Sequence, residues 1–292
     1  MKNVFLSLIL LSAVAAQASA CQDTPLSNAV KKGDVKTARI WLALGANVNH
    51  ANCTFERTPL QTAAKNDSLD LIALLLKHKA SINAQDSKGY SALSYAIMEG
   101  HADAVAALLK AGANVEVADD LGDTEVMLAF VSRDIGISKQ LLAAKPDLTV
   151  KNNKNITTLM AAIDTGDDSL IQLVLDTKPD LNEMDVHGNT ALTRSFNFDV
   201  SDLAIEKLIT RQNVNLPDEN GDSALMLAAI VGNANIIPAL LAAGANLAQT
   251  DPEGNTAIDL AKQNGNNAIA NQLQALLKMS PPQLPPDLPD AP

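Results

Sequence analysis

Two cysteines, four histidines and two tight groups of carboxylates are the residues of this 292-residue chain best equipped for chemistry. Cys21 and Cys53 are the only thiols. An oxidising compartment permits a disulfide between them. It would close a loop of about 33 residues, worth roughly 3–4 kcal/mol in the chain-entropy model. The competing fate of Cys21 is lipidation. Ala18-Ser19-Ala20-Cys21 partly matches a bacterial lipobox, with Ala18 where that motif prefers Leu. The polar segment from Gln17 to Ala20 looks more like an ordinary cleavage region. Neither cysteine has a histidine placed to activate it, so a catalytic thiol is not expected. His50, His78, His101 and His187 are scattered, and no Cys/His spacing suggests zinc. Asp119, Asp120 and Asp123, like Asp218, Glu219 and Asp222, could attract calcium, but they lack the twelve-residue ligand loop. They read as solvated turn residues. No phosphate-cradling glycine loop or nucleophile elbow is present. The expectation is a protein without catalysis, cofactor or metal.

Lys2, the apolar run from Val4 to Ala16 and the A-x-A sequence Ala18-Ser19-Ala20 form an export signal over residues 1–20. The apolar run is too short to span a membrane, and no second segment approaches that length. The shortness of the signal points to a Gram-negative periplasm. The formal charge of −11 and the absence of polybasic stretches argue against nucleic acid as a partner. A basic or neutral partner is easier to accommodate than a polyanion.

The positions of these groups are set by a repeat. A Ser or Thr, then a variable residue, then an aliphatic residue recurs at Thr24-Pro25-Leu26, Thr58-Pro59-Leu60, Ser91-Ala92-Leu93 and Thr124-Glu125-Val126. It returns at Thr157-Thr158-Leu159, Thr190-Ala191-Leu192, Ser223-Ala224-Leu225 and Thr256-Ala257-Ile258. The first gap is 34 residues and every later one is 33. A fixed period of this size means a stack of small modules whose function lies on an extended surface. In each module the Ser or Thr caps a short helix, with Pro25 and Pro59 suited to the first helical position. A second helix carries its apolar residues on one face, as Val105, Leu108 and Leu109 do. Gly112 then ends it in a left-handed turn. Asp86 and Gly89, five and two residues ahead of Ser91, supply the chemistry of a hairpin-like turn. Ala29, Ala63, Ala96, Ala129, Ala162, Ser195, Ala228 and Ala261 stand five residues after each cap, where close helix packing needs a small side chain.

This pattern resembles the ankyrin repeat, with its D-x-x-G-x-T-P-L-H-x-A-A-x-x-G-H stretch followed by L-L and G-A-D-V-N. The resemblance covers residues 24–279 as eight units, the first and last acting as caps, within a domain running from 21 to 279. It implies an all-α repeat solenoid of about eight helix-turn-helix units with β-hairpin-like fingers. It also implies a concave groove, recognition of another protein and no intrinsic catalysis. The chain departs from the family where its TPLH histidine belongs. Ser27, Gln61, Ser94, Met127, Met160, Thr193, Met226 and Asp259 stand there, so the hydrogen bonds between repeats are weaker or replaced. Gly45, Gly112 and Gly244 keep the left-handed position, while Lys79, Lys145, Lys178 and Arg211 replace it. Pro238 fits a second helix if Asn235 caps it and Pro238 lies in the first turn.

In such a stack the outward face of the first helix and the fingertips are the contact positions. The helix face reads Met127, Val131, Met160, Phe198, Met226, Ile230 and Val231 through the middle units, with polar residues such as Lys31, Lys65 and Gln263 at the ends. An apolar stripe rimmed by polar residues marks a contact surface. Arg194, Phe196 and Phe198 make the sixth unit the most divergent, with Asp199 in place of its mid-unit glycine. Phe55 and Tyr90 are the aromatic candidates at the fingertips. The expected partner-binding set is therefore Phe55, Tyr90, Met127, Val131, Met160, Arg194, Phe198, Met226 and Ile230. A protected or inhibited periplasmic enzyme, such as a toxin met by an immunity protein, is one expected partner. An envelope-tethered lipoprotein anchored through Cys21 is the alternative. Residues 280–292 carry six prolines and read as an extended, flexible tail.

Overall fold

Each recurring Ser or Thr opens a helix. In the computed structural model, which describes residues 23–52 and 56–279, all eight hold extended backbone. Each hydroxyl accepts the backbone N–H three residues on, which satisfies a donor that a helix start leaves free. The expected leader over 1–20, Cys21, Cys53, Phe55 and the expected tail over 280–292 lie outside the described residues.

The chain divides into two units, Met1–Asn153 and Lys154–Pro292. Among the described residues the first holds four helix pairs: α1 (Pro25–Lys31) with α2 (Val35–Ala43), α3 (Pro59–Lys65) with α4 (Leu69–Lys77), α5 (Ala92–Met98) with α6 (Ala102–Lys110), and α7 (Glu125–Ser132) with α8 (Ile135–Ala143). First helices pack on first helices in the order α1, α3, α5, α7, and second helices pack on second helices in the order α2, α4, α6, α8. The second unit repeats the plan with α9 (Thr158–Ile163) and α10 (Asp168–Leu175), α11 (Ala191–Ser195) and α12 (Asp202–Leu208), α13 (Ala224–Val231) and α14 (Ile237–Ala242), then α15 (Ala257–Gln263) and α16 (Asn267–Met279). Among the described residues there is no strand. The fingers are turns, three of them closed by isolated antiparallel bridges: Ala118 with Thr124, Met184 with Thr190, and Thr250 with Thr256.

The small residue five positions after each cap is buried in every repeat, from Ala29 to Ala261. It lets the paired helices approach, and Leu71, Leu75, Val105, Leu108, Leu170 and Val174 of the second helices close the core behind it. The finger aspartates spend their carboxylates locally. Asp86 Oδ1 accepts the Lys88 and Tyr90 N–H groups, Asp119 Oδ1 those of Leu121 and Asp123, and Asp218 Oδ1 those of Asn220 and Asp222. Successive fingers also pair through the backbone, with Asp120 N–H donating to the Lys88 carbonyl. This stacking is tight at Gly89. Its φ is 81°, and a Cβ there would stand 2.7 Å from Asp119 Cα, so only glycine fits.

Lys79, Lys145 and Lys178 take the left-handed position predicted for them, at φ 65°, 55° and 57°. Arg211 does not. Helix α12 stops early, with Ile209 already extended at φ −76° and ψ 126°. The buried Asn213 then donates from Nδ2 to the carbonyls of Leu208 and Leu181, a side-chain closure that needs no left-handed residue. Pro238 lies in the first turn of α14 as expected, but the cap is Ile236 rather than Asn235, and Asn233 Oδ1 accepts the Ile236 N–H. Lys145 is exposed and pays for positive φ without a packing return. Lys145→Gly is expected to raise the melting temperature by about a degree. The gain of roughly 0.5 kcal/mol is the relief of strain less the lost cation at the helix end. A thermal melt showing a lower value contradicts this assignment of the turn.

Candidate functional site

The residue three positions after the cap is buried in the six repeats from Gln61 to Met226 and half-buried at Ser27 and Asp259 in the end repeats. Gln61 shows the geometry: Oε1 accepts the Thr58 N–H, while Nε2 donates to the carbonyls of Ala84 and Tyr90 in the next repeat. A glutamine thus replaces the missing inter-repeat histidine. His101 adds a second link, its Nε2 lying 3.1 Å from the Lys65 carbonyl oxygen.

This register corrects part of the expected contact stripe. Met127, Met160 and Met226 are buried, not outward. They fill the same inward slot as Gln61, and Met226 Sδ even accepts the Ser223 N–H within a capping box. The outward face begins one turn later. Val131 is 78 % exposed at the end of α7, with Met98 exposed at the end of α5. In the second unit Val231 ends α13 at 53 % exposure and Phe198 follows α11 at 37 %, with Ile230 half-buried. Within each unit, exposed aliphatic and aromatic groups at the ends of successive first helices make a surface that core packing does not require.

Arg194 was expected as a contact residue and is a clamp instead. Its Nε and Nη2 bind the two Asp164 oxygens at 2.5 and 2.6 Å, and Nη1 binds Asp185 Oδ2 at 2.8 Å. Asp185 is buried, and Arg194 itself keeps 17 % of its side chain exposed. The guanidinium also lies 5.9 Å from the Phe198 ring centroid, so the clamp braces one edge of the exposed ring.

Tyr90 is half-buried, and burial, with the negative charge of Asp119 on the next finger, raises its hydroxyl above the ordinary tyrosine value. Its ring meets Tyr95 edge-on, with centroids 5.8 Å apart. Arg57 lies 4.2 Å above the Tyr95 ring and donates to the Tyr95 hydroxyl, which donates in turn to Asp86 Oδ2 at 2.5 Å. Burial and then that bond to Asp86 push the Tyr95 hydroxyl up to about 12, so it stays protonated. Lys65 pairs with Glu99 on the same surface. In the first unit the Arg57–Tyr95–Asp86 chain and the Lys65–Glu99 pair brace the first helices, and Met98 and Val131 are exposed at the ends of two of them.

Three features escaped sequence reasoning. Leu121, 62 % exposed, and Val186 stand on fingers. Their signal was an aliphatic residue inside an Asp-to-Gly turn, which cannot reach a core. The third is Glu125, a fully buried carboxyl at the position that Pro25 and Pro59 occupy in other repeats. Its Oε1 accepts from the Ser91 and Ser94 hydroxyls at 2.7 and 2.9 Å, and its Oε2 has no partner. Burial pushes this carboxyl up to about 7, against the two serine hydroxyls and with help from the charge of Asp119. It is closed off from solvent and so cannot reach a substrate. Among the described residues no group of three or more His, Cys, Asp or Glu side chains is placed to hold a metal, and no helix is long and apolar enough to cross a membrane.

A family model described as "Ankyrin repeats (3 copies)" matches residues 8–119 and 199–279, about two thirds of the chain. The chain is 38 % identical to the mouse (Mus musculus) "B-cell lymphoma 3 protein homolog" over 77 residues, which is 26 % of this chain and 17 % of that protein. It is 42 % identical to the Drosophila melanogaster "Transient receptor potential channel pyrexia" over 74 residues, 25 % of this chain and 8 % of that protein. The chain thus covers less than a fifth of either relative's length.

Proposed function

Because this chain belongs to the ankyrin-repeat family, whose repeats bind other proteins, we propose that it is a non-catalytic scaffold that binds a partner protein through the outward ends of its first helices and its fingers. The observation that carries this reading is the recurrence of large exposed side chains where the first helices end: Met98 and Val131, seven residues after their caps, in one unit, and Phe198 and Val231, eight residues after theirs, in the other. In the sixth repeat the Arg194 clamp braces the Phe198 ring, which keeps that part of the surface ordered before binding and lowers the entropy lost on association. Tyr90, Leu121 and Val186 extend the surface onto the fingers.

The export signal at Lys2 and Ala18-Ser19-Ala20 supports a periplasmic site of action, where the partner is an enzyme held in check or protected, for instance a toxin met by an immunity protein. Cys21 supports a second reading, a lipid-anchored envelope protein. Mass analysis of the mature N-terminus separates them: a free Cys21 or one bonded to Cys53 supports the soluble form, and a diacylated one the anchored form.

The interface is tested by crosslinked capture from the native envelope. Val131→Glu and Val231→Glu, one in each unit, are expected to leave the melting temperature within about 1 °C, because both positions are exposed. One of them is expected to abolish capture of a partner that the wild type retains. Equal capture by both variants and wild type removes the first-helix ends from the interface.

A further inference from the structure

The first two repeats carry a second, chemically different surface on the opposite helices. Between α2 and α4 lies an open cleft of about 420 Å³. Val35, Ala73 and Leu74 give it apolar walls, with Arg39 on one helix, Lys77 on the other, and Asp70 and His78 beside them. Among the described residues Arg39, Asp70 and Lys77 make no ion pair or side-chain hydrogen bond with any other group. Ile40, 58 % exposed, and Leu69 stand on the same two helices, and Lys36 is exposed one turn ahead of Ile40.

The surrounding sequence sharpens this. Residues 24–90, the first two repeats, hold nine Lys and Arg against five Asp and Glu, while residues 91–279 hold twelve against twenty-five. A strongly acidic chain therefore concentrates its positive charge in its first two repeats. Charge held there against the overall balance steers acidic partners to this end and repels them elsewhere.

We propose that the α2–α4 cleft docks an extended acidic segment of a partner protein, its carboxylates on Arg39 and Lys77 and its aliphatic side chains on Val35, Leu74 and the exposed Ile40 and Leu69. A segment fits better than an anionic membrane for two reasons. The cleft is concave, and a flat headgroup layer does not fill it. Asp70 lies among the cations, and three basic side chains fall short of the polybasic cluster that lipid surfaces demand. The proposal does not depend on the first-helix surface, since the two lie on different helices.

The probe is a fluorescein-labelled peptide of about twelve residues repeating Glu-Leu-Pro, titrated against the full chain and followed by anisotropy. Saturable binding is expected, weakened by salt because exposed charges carry it. Arg39→Glu/Lys77→Glu, with an unchanged melting temperature, is expected to weaken it about tenfold or more. Asp70→Asn is expected to tighten it, a result that damage to the fold cannot produce. Val131→Glu is expected to leave it unchanged, which separates this surface from the first-helix interface. The absence of saturable binding, equal binding by the charge-reversed variant, or equal binding of a Gln-Leu-Pro peptide overturns the proposal. Binding to phosphatidylglycerol vesicles in the absence of peptide binding overturns it in favour of a membrane surface.

Discussion

Arg194→Ala is expected to destabilise the protein by about 3 kcal/mol, read as a lower urea midpoint. The substitution strands Asp185, whose side chain is only 1 % exposed, without its counter-charge. It also releases Asp164, which Arg194 grips through two nearly parallel bonds. Asp185 keeps some support, since its Oδ1 still accepts the His187 and Asn189 N–H groups, and this holds the loss near the lower end for a broken buried pair. Arg194→Lys keeps the charge but not the fork, so it recovers only part of the stability. Removing Asp164 as well as Arg194 is expected to cost less than the sum of the two single losses. Additive losses in that double-mutant cycle would show that the clamp does not couple the two repeats. Any loss of partner binding in Arg194→Ala follows from a loosened Phe198, a different cause from a lost contact.

The second large effect depends on pH. The folded carboxyl of Glu125 sits at about 7, above its ordinary value of 4.5. Between those values the folded chain holds a proton that the unfolded chain has lost, so stability falls as pH rises. The full contribution is present below about pH 4.5 and is gone above about pH 7, a difference of roughly 3 kcal/mol. Glu125→Gln keeps an oxygen for Ser91 and Ser94 but cannot ionise. It leaves a buried amide NH2 group unpaired, which costs about 1–3 kcal/mol at every pH. The two stability curves are therefore expected to converge or cross between pH 5 and 8, with the variant gaining on the wild type as pH rises. Parallel curves from chemical denaturation across that range would mean that Glu125 does not titrate with folding.

The repeat could be read directly from sequence because its marker residue does a local job. Thr58 or Ser223 caps a helix with its own side chain, so its spacing survives any variation in packing. Lys79, Lys145 and Lys178 were likewise legible, since the turn at a helix end needs a left-handed residue whatever occupies it. Arg211 failed because Asn213, two residues on, offers a competing side-chain closure. The methionines failed for a directional reason. Met127, Met160 and Met226 occupy the third helical position, which points back over the cap toward the core, while Val131, one turn on, points out. The polar side chains of Gln61 and Thr193 at that register, both engaged in capping boxes, held the clue. Glu125 is the one acidic residue at a position otherwise held by Pro, Ala or Thr, and only the register reveals it. The family model passes over residues 120–198, where Glu125, Lys145 and Lys178 all depart from the family pattern. The helix pairs α7–α8 and α9–α10 form there nonetheless, because caps and small core residues are retained.

The central claim, that a partner protein binds the outward ends of the first helices, is tested most directly by site-specific photocrosslinking in cells of the native host. A photoreactive residue is placed in turn at Val131, Phe198 and Val231, with Leu203 on a second helix as the reference, since it is equally open to solvent. The account predicts one discrete protein crosslinked from at least one of the first-helix positions and absent from Leu203. A discrete adduct from Leu203 alone, or the same adducts from all four positions, would contradict it.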